Sequence, residues 1–155
     1  MADQGEQMRT ESEHREVWEE RLRNRRTPLH NMMGLKLVQL TPTVLLTMEL
    51  SDTVQGPIEG TVHGGILATF ADVASAAVLW NSYDAEVEQP VTTDMHVRYY
   101  RQPQSGPLTA EATVVHRGRR LLSSECVVTD AAQRVLVRST ATYMIVPIAS
   151  IGAGT

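Results

Sequence analysis

Cysteine is almost missing from this chain. Cys126 stands alone among 155 residues, so no disulfide can close within the chain, and a reducing, cytoplasmic setting is expected. It lies in Leu121-Leu122-Ser123-Ser124-Glu125-Cys126-Val127-Val128, a strand-like run, and no His-Asp pair is marked out beside it as an activator, so a place in the core is expected. Lysine is equally scarce. Lys36 is the lone example, expected on the surface, and Schiff-base chemistry is not suggested. No Gly-x-Ser-x-Gly elbow occurs, which removes the usual sign of a serine hydrolase. His14, His30, His63, His96 and His116 are scattered without ligand spacing, so a zinc site is not expected. No run approaches the roughly 18 apolar residues of a membrane span, and residues 1–13 are polar and acidic, unlike a signal peptide. Membrane is therefore not an expected partner. A net charge of -4 and a pI near 5.7 argue equally against nucleic acid.

What is present is enough for one core. At 155 residues and 42% hydrophobic content, one domain is expected. Residues 1–27 read as a polar tail and charged helix, 28–147 as the domain, and 148–155 as a flexible tail. Thr10-Glu11-Ser12-Glu13 resembles a capping box opening a helix to about Arg26, with Glu19 and Arg23 spaced to pair and Val17, Trp18 and Leu22 as a narrow apolar stripe. Pro28 ends it. Residues 28–34 read as a turn or helical fragment, and 35–40 and 43–50 as strands. Val91, Thr93, Met95, Val97 and Tyr99 alternate with Thr92, Asp94, His96, Arg98 and Tyr100, the pattern of a half-buried strand. Residues 108–116, 121–129 and 135–146 follow as three more strands, separated by turns near Gly118 and at residues 130–133, as in an antiparallel meander.

Between the two groups of strands lies the most informative segment. His63-Gly64-Gly65 follows a turn-prone stretch and precedes residues 66–80, which are apolar round almost the whole helical circumference except for one acid, Asp72. A helix start carries unpartnered N–H groups and a partial positive charge, so it can stabilise a carbonyl oxygen that is becoming an oxyanion. Gly64 and Gly65 have no Cβ to hold a substrate away. A carboxylate among apolar neighbours is costly unless paired, neutralised or used. The plainer reading of Asp72 is a buried acid satisfied by a hydroxyl or a backbone donor. Gly64 and Asp72 are eight residues apart, about 12 Å of helix axis, so one copy of the helix cannot easily aim both at one carbonyl. If both serve one reaction, two copies meet across a two-fold axis, and an obligate homodimer is expected.

Residues 60–72, Gly60-Thr61-Val62-His63-Gly64-Gly65-Ile66-Leu67-Ala68-Thr69-Phe70-Ala71-Asp72, resemble the signature of hotdog-fold acyl-CoA thioesterases, in the branch of the phenylacetate-degradation and 4-hydroxybenzoyl-CoA thioesterases. Residues 91–103 are similar to that family's strand after the helix, and His116-Arg117-Gly118-Arg119-Arg120 to its later hairpin. The likeness spans about residues 29–146. It implies an α+β hotdog fold, a curled antiparallel sheet wrapped round one long helix, with the N-terminal helix as an addition. It also implies that the Gly64 amide polarises a thioester carbonyl and that Asp72 of the opposing subunit acts as general base or nucleophile. His63 would orient the thioester; a His that merely caps the helix explains it equally well. Where many relatives carry Asn or Gln six residues before the His, this chain has Pro57, which leaves Gln55 or Glu59 as substitutes. A hydroxyl near the acid is matched by Thr92, although strict alternation turns Thr93 toward the helix instead.

The expected reaction is hydrolysis of an aryl- or fatty acyl-CoA to free acid and CoA, without a cofactor, in a dimer or a dimer of dimers. Gly65 would admit the substrate. Arg117, Arg119 and Arg120 would meet the CoA phosphates, though a solvated turn accounts for them as well. Two rivals stand beside this reading. One is a hotdog dehydratase or hydratase, faintly echoed by Pro28-Leu29-His30. The other is a non-catalytic acyl-CoA-binding or regulatory module, which the missing amide at Pro57 favours.

Overall fold

A computed structural model describes residues 11–24 and 27–151. The chain runs through α1 (Glu11–Asn24), α2 (Pro28–Met32), β1 (Lys36–Gln39), β2 (Val44–Met48), α3 (Gly64–Ala77), β3 (Glu88–Tyr99), β4 (Leu108–Arg117), β5 (Leu121–Thr129) and β6 (Val135–Pro147), with single 3-10 turns at Asp52–Val54 and Ile148–Ser150. The expected order of two strands, one long helix and four strands is therefore present. So is the hotdog arrangement: one six-stranded antiparallel sheet curls round α3.

Local chemistry accounts for the element ends. Pro28 occupies the first turn of α2, Thr27 Oγ1 accepts the His30 N–H at 3.2 Å, and Gly34 leaves the helix in the left-handed region at φ 61°. In α1, Arg15 pairs with Glu19 at 2.8 Å, on the turn before the expected pairing of Glu19 with Arg23. The Arg23, Trp18 and Leu22 side chains, Thr10 and Arg26 lie outside the described residues. The last strand continues through Pro147, one residue beyond the expected 135–146, and the Ile148 N–H donates to Val87 O at 2.8 Å.

The sheet order is β1-β2-β4-β5-β6-β3. Strands β4, β5 and β6 form the expected meander. Gly118 N–H to Leu121 O at 2.9 Å closes one turn; a fully buried carboxylate, Asp130, organises the other. Asp130 accepts from the backbone N–H groups of Ala132, Arg134 and Gln104, and from the Arg134 guanidinium at 2.6 and 2.9 Å. Strand β3 does not join its sequence neighbour β4; it pairs with β6 at the sheet's edge.

The core forms where α3 lies on the concave face. Leu67, Phe70, Ala71, Ala74 and Ala77 are buried with Val44, Leu46, Met48, Leu108, Ala110, Ala112, Leu122 and Leu136. Alanines on both sides allow the helix to approach the strands closely, and Ser124 Oγ reaches Ser75 O at 3.1 Å. The sheet covers only one side of the helix. Ile66, Val73, Ala76 and Asp72 are half-buried, so α3 is less enclosed than its apolar circumference predicts, and Asp72 is not the fully buried acid expected.

Candidate functional site

Two clusters on α3 hold the residues singled out from sequence. At its N-terminus, His63 is the cap residue, with extended φ/ψ of -60° and 131°, and its Nδ1 accepts the Gly65 N–H at 3.0 Å. The Ile66 and Leu67 N–H groups return to His63 O at 3.0 and 3.2 Å. The Gly64 N–H is left as the helix donor without an acceptor among the described residues. The capping reading of His63 is thus the one observed. At Gly65 the amide is occupied by the imidazole, and a Cβ there would meet His63 Nδ1 at 3.1 Å and Cε1 at 3.2 Å, tighter than ordinary contact.

Two residues that nothing in the sequence singled out brace this end. Gln102 pairs with the Val62 backbone like a strand neighbour, Oε1 accepting from Val62 N at 2.9 Å and Nε2 donating to Val62 O at 3.2 Å. The Tyr99 hydroxyl donates to Gly64 O at 3.1 Å, with its ring over the glycine. The loop before the helix is held by Gly56 N–H to Thr61 O at 2.8 Å and His63 N–H to Val54 O at 3.0 Å. Among the described residues, no side-chain hydrogen bond from Gln55 or Glu59 takes the place of the amide absent at Pro57.

The second cluster surrounds Asp72, two turns along the helix. Thr92 Oγ1 donates to Asp72 Oδ1 at 3.1 Å, and the Tyr143 hydroxyl donates to the same oxygen at 2.8 Å and to Asp72 O at 3.1 Å. Thr92, not Thr93, therefore meets the acid. The reason is a β-bulge between Thr92 and Asp94: Thr93 is the extra residue, its hydroxyl turned onto Thr142 O at 3.0 Å. The bulge reverses the strand's parity, so Thr92 shares the helix-facing side with Met95 and Val97, which strict alternation forbids. Tyr143 lay unnoticed as one more inward residue of an apolar strand.

Burial, then the neighbouring charge of Asp72, pushes the Tyr143 phenol well above its ordinary range, so it remains a proton donor. Cys126, on the adjacent strand, is buried and its thiol is pushed up to about 12 by burial and by the charge of Glu111; it packs as core, as expected. Arg117 donates to Ser82 Oγ, beyond the C-terminal end of α3, while Arg119 and Arg120 are exposed at the β4–β5 tip. Thus Asp72 and Thr92 come together, as do His63, Gly64 and Gly65, but one copy of the chain keeps the two clusters on separate turns. Among the described residues, no three His, Cys, Asp or Glu side chains gather as a metal site, and no helix is long and apolar enough to cross a membrane.

Comparison with known proteins agrees with this fold. A curated protein of Halobacterium salinarum, provisionally named an esterase, is 43% identical over 67 residues, 43% of this chain and 44% of that protein. The match thus spans under half the length of that relative. A thioesterase enzyme from Staphylococcus aureus superposes with a TM-score of 0.73 at 22% identity, covering 78% of this chain and all of the other. A Streptococcus mutans protein solved bound to acetyl CoA superposes with a TM-score of 0.63 at 23% identity, over 73% of this chain and 89% of the other. The model of the thioesterase superfamily matches residues 59–137, which run from the loop before the capped helix into β6 and include Gly64, Asp72 and Thr92. With more than half of its length matched, and the fold of those relatives around its helix, the chain belongs to the thioesterase superfamily.

Proposed function

We propose that this chain hydrolyses aryl- or fatty acyl-CoA thioesters at a site shared between two copies, with Asp72 as base or nucleophile and the Gly64 N–H as oxyanion donor. The observation that carries the reading is the state of the two groups. Asp72 is held through Oδ1 alone, with Oδ2 unengaged among the described residues, and the Gly64 amide is the free donor of a capped helix. A fixed carboxylate and a preorganised N–H are the two parts that acyl transfer requires.

In the base route, Asp72 Oδ2 takes a proton from water as the water oxygen bonds to the thioester carbon. The carbonyl oxygen, now an anion, rests on the Gly64 N–H. Collapse breaks the C–S bond, and the proton held by Asp72 passes to the departing thiolate, leaving CoA and the acid. In the nucleophile route, Oδ2 itself bonds to the carbon and expels the thiolate, and water then cleaves the resulting anhydride. In one turnover in heavy-oxygen water, label in Asp72 marks the nucleophile route, with water attacking the Asp72 carboxyl carbon of the anhydride, since the base route places label only in the released acid.

A shared site is supported by what a single copy leaves open. Strand β3 is twelve residues long, lies at the sheet edge and has Val91 and Tyr99 at 40% and 52% exposure; edges of this length are ordinarily covered. The acetyl CoA held by the Streptococcus mutans relative supports CoA as the carrier. The guanidinium groups of Arg119 and Arg120, which make no hydrogen bond or ion pair among the described residues, are candidates for its phosphates. The test is thiol release from a panel of aryl and aliphatic acyl-CoAs, with Asp72→Asn beside the native protein. Loss of release in the folded variant is expected. Undiminished hydrolysis removes Asp72 from the reaction, and binding without release by the native protein makes the chain an acyl-CoA-binding module.

A further inference from the structure

We propose that Tyr143 is a positioning residue of this site: with Thr92 it clamps one oxygen of Asp72, and so selects Oδ2 as the oxygen that reacts. The inference rests on the thioesterase reading and concerns how Asp72 is aimed. Thr92 and Tyr143 are direct cross-strand partners in the β3–β6 ladder, and both hydroxyls converge on Oδ1, at 3.1 and 2.8 Å. A carboxylate whose two donors share one oxygen cannot rotate without losing both, and its other oxygen keeps a fixed direction.

Tyr143 does more than Thr92 can. Its proton is shared between Oδ1 and the backbone carbonyl of the same residue, at 3.1 Å, so it ties the side chain and the helix backbone of Asp72 together. The phenol is fully buried, whereas Thr92 sits on an exposed strand, so Tyr143 supplies the rigid half of the clamp. Among the described residues the fully buried Ser75 Oγ has no hydrogen-bond partner, so the hydrogen bonds of the Tyr143 hydroxyl all go to Asp72. The bulge at Thr93 completes the arrangement, because without it Thr92 points to the opposite face and the clamp loses a jaw.

Tyr143→Phe keeps the ring that fills the core and deletes only the donor. Measured on the full-length protein by thiol release, kcat is expected to fall roughly tenfold with KM unchanged, the usual scale for a hydrogen bond to a charged group. In the Asp72→Asn background the same substitution is expected to have no further effect on the residual rate. Thr92→Val should behave in the same way, and the two losses should be non-additive because both donors serve one oxygen. Equal factors for Tyr143→Phe with and without Asp72, or an unchanged kcat in a folded Tyr143→Phe protein, overturn the proposal. If Tyr143→Phe does not fold, Thr92→Val decides: a loss confined to the Asp72 background supports the clamp, and no loss overturns it. Full hydrolysis by Asp72→Asn alone overturns the functional reading instead, so the two failures are distinguishable.

Discussion

His63 and Gly65 close the start of the central helix between them: the imidazole Nδ1 accepts the Gly65 N–H at 3.0 Å, and the Gly64 N–H is left without an acceptor among the described residues. The histidine therefore acts first as a cap. Substituting His63→Ala should lower stability by about 1 kcal/mol, the ordinary cost of losing an N-cap, and His63→Asn should restore most of it. Denaturant melts of the two variants check this. A rate that recovers with the Asn variant places the contribution of His63 in the cap; a rate that stays low while stability returns assigns it a direct part in the reaction.

The free amide can be removed without removing the helix. Gly64 is the first helical residue, where proline is well tolerated, and His63 before it already has the extended backbone that a following proline requires. Gly64→Pro should retain helical circular dichroism and lose about two orders of magnitude in kcat, the scale for one oxyanion donor.

The proposed sharing of the site between two copies makes a sharper prediction. Inactive Gly64→Pro and inactive Asp72→Asn subunits, mixed in equal amounts and reassociated, should regain about a quarter of the native activity, because half of the randomly formed dimers are mixed and each mixed dimer contains one intact pairing of amide and acid out of two. No recovery at any mixing ratio, in dimers shown to have exchanged, would place both groups of one copy in the same reaction.

Cys126 should be inert in the folded protein. Its thiol is pushed up to about 12 by burial and by Glu111, so it is protonated and sequestered at neutral pH. Alkylating reagents should label it only after denaturation, as mass spectrometry can read. Cys126→Ala should cost about 1 kcal/mol of packing while leaving thiol release unchanged.

Acid should weaken the fold partly through Asp130. The Arg134 guanidinium, ahead of the opposing effect of burial and joined by the backbone donors of Arg134 and Gln104, holds this carboxyl below the usual carboxylate range. A carboxyl whose folded value is depressed contributes stability that is complete above the unfolded value and is lost as pH falls through the folded one. Urea melts between about pH 5 and pH 3 should therefore show a shallower acid decline for Asp130→Asn than for the native chain, from a lower starting stability. Parallel curves would mean that Asp130 titrates alike in both states.

Most of the elements were legible in the sequence because they are governed by short-range rules. Residues 121–129 form the predicted strand, and the turn at residues 130–133 follows from an Asp that caps its own loop. The helix begins at Gly64, where the glycines and the preceding turn place it. The contacts of Asp72 were half legible. Thr92 emerged from resemblance, against the alternation of its own strand, because a bulge leaves no mark in a pattern that assumes period two. Tyr143 was not legible at all. It sits 71 residues beyond Asp72 in a run whose inward positions read simply as core.

By itself, the sequence determined the kinds of element, the capped glycine start of the helix and the presence of one acid on it, since backbone preference and hydrophobic period act over a few residues. Only the tertiary structure decided that β3 closes against β6, that a single added residue turns Thr92 toward the helix, and that a buried phenol grips the same oxygen. Those outcomes depend on which distant strands share a ladder and in what register. Pairing energies and core packing settle that choice together, and no local run of residues contains it.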